Sequence, residues 1–464
     1  MIAKPLTAAE PPRPNIVLAM ADDQGWGDMA YNGHPRLKTP VFDELARTGL
    51  RLDHFYAAAP VCSPTRCSVM TGRTPNRSGV FSWGHVIRPE EVTIAEAVKT
   101  AGYATGHFGK WHLGSVLKNQ LTSPGGSGFD RWLSAPNFFE VNPWLSDEGT
   151  AKKYEGEGST IIVEAALNFM REQTQRKQPF LTVIWFGSPH APHIGTDADL
   201  ALYPDVPPKQ RAFLAEITAM DRALGQLRDG LKSLGVADNT LLWYCSDNGA
   251  IPEGSTGGLR GKKGQIYDGG LRVPALIEWP ARIRSPRHSD LPCGTVDIYP
   301  TVLELTGAKV AHQPPLDGIS LVGLIEGTMT ARTKPLGFWE AGIAGIASPS
   351  DKILAAVAEK QRANESLAGD VAEGPAPREL AWTNGPERFA GHAAWIDGDW
   401  KLHRIQPKNK TESHWELYNL RDDATESRNV IRWQAERAIE MQAALDAWLQ
   451  SVTDSLRGRD YEAK

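Results

Sequence analysis

Short, uninterrupted apolar runs alternate along this chain with longer segments whose apolar residues recur at helical spacing. The runs "NIVLAM", "YATGHFG", "PFLTVIWFG", "NTLLWYCSDNG" and "PALIEWP" read as strands, the first bounded by Pro14 and the polar "ADDQG". Between them "TPVFDELARTG" predicts a helix with Thr39 as N-cap, Pro40 in the first position and Gly49 at the end. "TIAEAVKTAG", "IIVEAALNFMREQ" and "FLAEITAMDRALGQLRDGLKSLG" predict three more helices. Strands without internal polar positions are buried on both faces. Their alternation with helices therefore predicts an α/β domain over residues 12–330, a large, mostly parallel sheet sandwiched by helices. The pattern then changes. Residues 343–390 are rich in Ala, Gly, Pro and charge around one helix, "DKILAAVAEKQRAN". "HAAWIDGDWKLHR" and "HWELYNL" follow as antiparallel strands, the first folding back at Asp397-Gly398, and "QAERAIEMQAALDAWLQSV" is a closing helix. This predicts a smaller α+β domain over 331–464 with a short antiparallel sheet.

Composition removes several function classes. With 41% hydrophobic and 23% charged residues in 464, the chain is neither disordered nor a fibrous repeat. A net charge of −5 gives no footing for nucleic acid or an anionic membrane. No apolar run reaches the roughly 18 residues that a spanning helix needs, and the start, "MIAKPLTAAEPPRP", lacks an apolar signal core. The cysteines, Cys62, Cys67, Cys245 and Cys293, form no CxxC and no zinc spacing with histidine.

Ligands of open parallel sheets sit beyond the carboxyl ends of the strands. The residues following each run are Asp22 and Asp23; Lys110 and His112; His190 and His193; Asp247 and Asn248. Four strands thus deliver acids, an amide, a lysine and histidines to one edge. Asp22, Asp23, Asp247 and Asn248 offer only oxygen, the preference of hard divalent cations such as Ca²⁺ or Mg²⁺. Lys110, His112, His190 and Lys263 suit an anionic substrate, whose oxygens they can neutralise and whose leaving group they can protonate. Lys263 lies in the glycine-rich "GLRGKKGQIYDGGLRVP", where backbone can approach a ligand closely. The pair Cys62 and Cys67, flanking "SPTR", leaves four readings open: a disulfide, a thiol nucleophile, half a metal site, or a signal for chemical modification.

"VCSPTRCSVMTGR" contains C-x-P-x-R and resembles the signature of type I, formylglycine-dependent sulfatases, arylsulfatase-like members of the alkaline phosphatase superfamily. "PNIVLAMADDQGWGD", "GKWHLG", "SPHAPH", "SDNG" and "LRGKKGQIYDGGLRVPALIEWP" are similar to further family segments, in the family's order, over most of residues 12–290, and "ELYNLRDDATESRNV" resembles its C-terminal "ELYDL" segment. The resemblance implies an alkaline-phosphatase-like fold. It implies that a formylglycine-generating enzyme oxidises Cys62 to an aldehyde, held as its hydrate, and that this hydrate attacks sulfur. It further implies that Asp22, Asp23, Asp247, Asn248 and the oxygen at position 62 bind Ca²⁺, ahead of Mg²⁺. Arg66 would hold the hydrate, and Lys110 and Lys263 the sulfate oxygens. His112 would take the proton that triggers sulfate release, while His190, with Lys263, would protonate the leaving alcohol. Cys67 reads as buried filler and His193 as a substrate contact. Where some members set a serine against sulfate, this chain has "APNFF", with Asn137 as a donor. The substrate class implied is a sugar or aryl sulfate. Rim loops are expected over 134–160 and 340–395, and Trp83, Trp132 and Trp144 in or near them point to sugars. A phosphonate monoester or phosphodiester hydrolase on the same fold is the alternative activity, since those esters carry the same single charge. A catalytically silent metal-binding homologue is the alternative without one. The family usage places the protein in the periplasm or outside the cell.

Overall fold

The computed structural model describes residues 13–367, 389–407, 410 and 412–461. Ten strands form one sheet in the order Arg287–Ser289, Leu50–Leu52, Ala275–Glu278, Thr240–Ser246, Asn15–Ala21, Phe180–Trp185, Ala104–Lys110, Arg131–Ala135, Trp144–Asp147, Thr150–Lys153. The five strands from Thr240–Ser246 to Arg131–Ala135 run parallel. Ala275–Glu278, the "PALIEWP" run, joins antiparallel to Thr240–Ser246, and Trp144–Asp147 and Thr150–Lys153 close the far side as an antiparallel hairpin.

Successive residues of a strand face opposite sides, and here both sides are covered. Ile16, Leu18 and Met20 pack into one core with Leu181, Val183 and Trp185, whereas Val17, Ala19 and Ala21 pack into the other with Phe180 and Ile184. The second core takes its helical side chains from Pro40–Thr48, Gly158–Gln175 and Pro208–Ser233. The first takes them from Cys62–Thr71, Ile94–Lys99, Ile298–Thr306 and Ser350–Ala363. This double burial is why the strands appear as apolar runs rather than as alternating patterns.

The strands Leu336–Glu340, Gly391–Asp397, Trp400–Gln406 and His414–Asn419 form a separate antiparallel sheet. The helix Ala435–Leu456 covers one face through Met441, Leu445, Trp448, Leu449 and Val452. On the other face Phe338, Ala394, Ile396 and Tyr418 meet Tyr56, Ile266 and Leu271 of the large body. Buried Lys401 of this small sheet donates to Asp268 Oδ1 at 2.7 Å and lies 3.0 Å from Glu426 Oε1, which anchors the end of the glycine-rich segment.

Several expectations are corrected. Of the stretch 134–160, Asn137 and Phe138 line the opening as expected, but its middle is the hairpin that extends the large sheet. Trp132 is buried within that sheet and Trp144 is on the hairpin, so neither stands at a rim. The turn in "WIDGDW" comprises Gly398 and Asp399, one residue later than read, with Gly398 at a φ of 56° that glycine adopts without strain. The signature segment itself forms a helix, Cys62–Thr71, that begins at Cys62. Part of the 340–395 expectation, residues 368–388, falls outside the described residues.

Candidate active site

Five parallel strands bring their carboxyl ends to one edge, and the polar residues that follow them converge there. Asp22 and Asp23 continue the strand Asn15–Ala21, and Asp247 and Asn248 continue its neighbour Thr240–Ser246. Ladder-like bonds persist past the strand ends: Asp22 N–H donates to Ser188 O at 3.0 Å, and Asp247 N–H to Ala21 O at 3.2 Å. Asp23 then turns into the left-handed region at φ 72° and donates its N–H to Asp247 Oδ1 at 3.0 Å, so the two acidic turns are tied together. Gly249 lets the second turn lie against the glycine-rich segment, since a Cβ there would come within 2.1 Å of Gly269 O.

Cys62 opens the helix Cys62–Thr71, every residue of which is buried. Its Sγ lies 3.6 Å from Asp22 Oδ1. One turn on, on the same face, Arg66 donates to Asp247 Oδ2 at 2.6 Å and stands 3.7 Å from Asp22 Oδ1. Lys110, ending its strand, donates to Asp22 Oδ2 at 2.6 Å. Lys263 donates to Asp23 Oδ2 at 2.7 Å, and His190 Nε2 lies 3.7 Å from that oxygen. Three side-chain cations thereby pair with three carboxylates.

Burial pushes the Cys62 thiol up to about 12, a rise that Lys110 and Lys263 only partly offset. A thiol so held is a poor nucleophile near neutral pH, which weighs against the thiol reading. All four cysteines are free and buried, which removes the disulfide reading. Burial, reinforced by the charge of Asp22, lifts Asp247 to about 6. Burial acts on Asp23 in the same sense, but Lys263, His190 and Lys110 outweigh it and hold that carboxyl well below its ordinary range. His112, buried and at φ 54°, is kept neutral first by burial and then by the charges of Lys110 and Arg66. Neither of its ring nitrogens has a partner among the described residues.

The donors fit a hard cation. Ligand atoms of Asp22, Asp23, Cys62 and His190 lie within 4.8 Å of one another. Among the described residues the buried amide oxygen of Asn248 has no partner, while its Nδ2 donates to Asp23 Oδ1 at 2.9 Å. Asp247 adjoins this group, with its two oxygens engaged by Arg66 and by the Asp23 N–H.

All ten expected site residues, Asp22, Asp23, Cys62, Arg66, Lys110, His112, His190, Asp247, Asn248 and Lys263, are therefore brought to this edge. Lys263 rather than Lys262 reaches the carboxylates. His193 is not at the opening: its Nδ1 lies 3.0 Å from buried Glu216 Oε2, turned inward. Cys62, His112, His190 and Lys263 form the floor of a cavity of about 360 Å³. Reasoning from the residues missed Phe138, whose ring stacks on His190 with centroids 4.4 Å apart at 11°, and Ser348, which also lines the opening. Neither carries a sequence signal, because their role follows from what they face. Trp83 is at the opening as expected, while Asn137 N–H donates to Ser350 Oγ at 2.9 Å and its Nδ2 to Ser348 Oγ at 3.2 Å.

The chain is similar to known proteins in sequence and in fold. Residues 14–308 match the family model described as "Sulfatase". N-acetylgalactosamine-6-sulfatase of Mus musculus is 30% identical over 70% of this chain and 69% of its own length. Steryl-sulfatase of Rattus norvegicus is 31% identical over 69% and 72%. The solved structure of "Ps i-CgsB in complex with k-i-k-neocarrahexaose" shares the fold with a TM-score of 0.77 at 24% identity, over 94% of this chain and 93% of that one.

Proposed function

Since the chain belongs to the sulfatase family, and so to the sulfuric ester hydrolases, we propose that it hydrolyses sulfated sugars with residue 62, converted from cysteine to formylglycine, as its nucleophile. The observation that carries this is the placement of Cys62 at a helix N-terminus, 3.6 Å from Asp22, within a carboxylate set that three cations balance. Asp22, Asp23, Asp247 and Asn248 would hold Ca²⁺, with Mg²⁺ second to it. When bound there, such an ion would supply two positive charges able to polarise a sulfate oxygen and acidify a hydroxyl at position 62. Those charges match the single charge of a sulfate ester plus one deprotonated hydroxyl.

The residues of the chain then divide the work. Arg66 fixes the hydrate from one helical turn away. Lys110 and Lys263 neutralise sulfate oxygens as charge gathers on them. The hydroxyl of residue 62 that has released its proton to solvent attacks sulfur through its oxygen, and the S–O bond to the alcohol breaks. His190, with Lys263, gives the leaving oxygen its proton. The second hydroxyl passes its proton to His112, a neutral and unpartnered imidazole, and sulfate departs as the aldehyde reforms. No water need attack the sulfated residue. N-acetylgalactosamine-6-sulfatase among the relatives supports a sugar, as do the aromatic and amide groups at the opening.

Mass spectrometry of the peptide containing residue 62, from protein made alongside a formylglycine-generating enzyme, tests this. The reading expects a peptide lighter than the cysteine form that labels with hydrazides, and sulfate release in proportion to the labelled fraction. Full turnover from protein whose residue 62 remains cysteine would overturn it.

A further inference from the structure

The proposed chemistry consumes the floor of the cavity and leaves its walls unexplained. Above Cys62, His112, His190 and Lys263 stand Trp83, Asn137, Phe138, Ala347, Ser348 and Pro349. Among the described residues these walls bring no charged side chain to the opening.

Trp83 is 39% exposed, a high value for a tryptophan, and yet it is held firmly. Its carbonyl accepts from Ile346 N–H at 2.8 Å. The next residue, Gly84, donates to Ser63 Oγ at 2.9 Å, and His85 Nε2 donates to Ala344 O at 3.0 Å. The indole lies so close over Gly345 that a Cβ there would come within 2.2 Å of its ring atoms. A rigid, half-exposed indole loses little freedom on binding, and this one lines the cavity with its apolar ring. Phe138, in the same lining, stacks on His190. Asn137 and Ser348 add polarity to this lining. Asn137 Nδ2 donates one hydrogen to Ser348 Oγ, which leaves the second amide hydrogen and the Ser348 hydroxyl proton to donate to a bound group.

An aromatic platform beside uncharged donors matches a ring that has one apolar CH face and hydroxyl edges. We infer that Trp83 is a specificity-determining residue, and that it selects a neutral sugar ring bearing a single sulfate over rings with a second sulfate or a carboxylate. A second anion would lie against these walls with no cation to meet it and would lose its hydration uncompensated. This deepens the sulfated-sugar reading and rests on it.

The test compares galactoses and N-acetylgalactosamines monosulfated at each ring position with their disulfated counterparts, using the mature enzyme. The preferred monosulfated sugar should exceed its disulfated counterpart at least tenfold in kcat/KM. Trp83→Ala should cut kcat/KM for that sugar about tenfold, chiefly through KM, and Trp83→Phe should restore most of it. Gly345→Val, which displaces the indole without removing it, should reproduce the loss. Equal turnover of mono- and disulfated sugars, or an unchanged KM in Trp83→Ala, would overturn the inference. Calorimetric binding of the same sugars to Cys62→Ala protein separates the two readings, because it needs no turnover. The same ranking there supports the walls as selective even if the chemistry at residue 62 fails, and a reversed or flat ranking refutes them.

Discussion

Arg66 reaches one helical turn forward from Cys62 to place Nη2 2.6 Å from Asp247 Oδ2, and both side chains are fully buried. The helix that carries the reactive position is thereby bolted to the strand end that carries half of the metal set. Breaking a buried pair from one side leaves an uncompensated charge, which costs about 3–5 kcal/mol. Arg66→Ala should therefore lower unfolding stability by about that amount in denaturant titrations and also abolish turnover. Arg66→Lys keeps the charge but not the planar fork, so it should recover stability in larger part than activity. Wild-type stability in Arg66→Ala would show that the pair does not anchor the helix.

Cys62→Ala should separate chemistry from folding. The side chain is small and makes one long contact with Asp22, so stability should change by about 1 kcal/mol while sulfate release falls to background. Retained turnover would remove residue 62 from the nucleophile's role.

Metal addition gives a readout independent of activity. Ca²⁺ added to chelator-treated protein should raise Tm, by the equivalent of about 2.7 kcal/mol at a hundredfold excess over Kd, with a smaller shift for Mg²⁺. Asp23→Asn should remove most of the shift, since Asp23 stands amid Lys263, Asn248 and His190. Identical melting curves with and without Ca²⁺, in protein that turns over in chelator, would eliminate the cation.

Acid sensitivity should trace in part to Asp317. Burial would raise its pKa, but the Arg77 guanidinium at 2.8 Å and the Thr74 N–H at 2.7 Å outweigh it and hold the carboxyl below its ordinary 3.8. Between the folded value and 3.8 the unfolded chain binds the proton more readily. The pair's stabilisation is thus present above about pH 4 and is lost as pH falls through the folded value. Asp317→Asn should cost about 3 kcal/mol at pH 7 and flatten the acid limb of the stability profile. An acid limb identical to wild type would assign the sensitivity elsewhere.

How far the fold was legible from the residues depended on whether an element announces itself locally. The strands Asn15–Ala21, Phe180–Trp185 and Thr240–Ser246 did so because burial on both faces demands unbroken apolar runs. The capping box of Thr93 and Glu96 likewise marks its own helix start. The hairpin of Trp144–Asp147 and Thr150–Lys153 did not: it reads as a polar loop because exposed Lys152 and Lys153 lie on the sheet's outermost strand. His193 shows the same limit in the site. It follows an apolar strand, as His190 does, but the fold pairs it with Glu216 from a distant helix.

The sequence by itself determined the sheet's apolar central strands, the edge at which their polar successors gather, and the family, because each of these is written in short local segments. Only the tertiary structure decided which histidine faces the cavity, that Arg66 grips Asp247, and that Gly345 steadies Trp83 at the opening. Those relations join residues far apart in the chain, and their partners are selected by close packing of whole elements, which leaves no periodicity or spacing in the residues themselves.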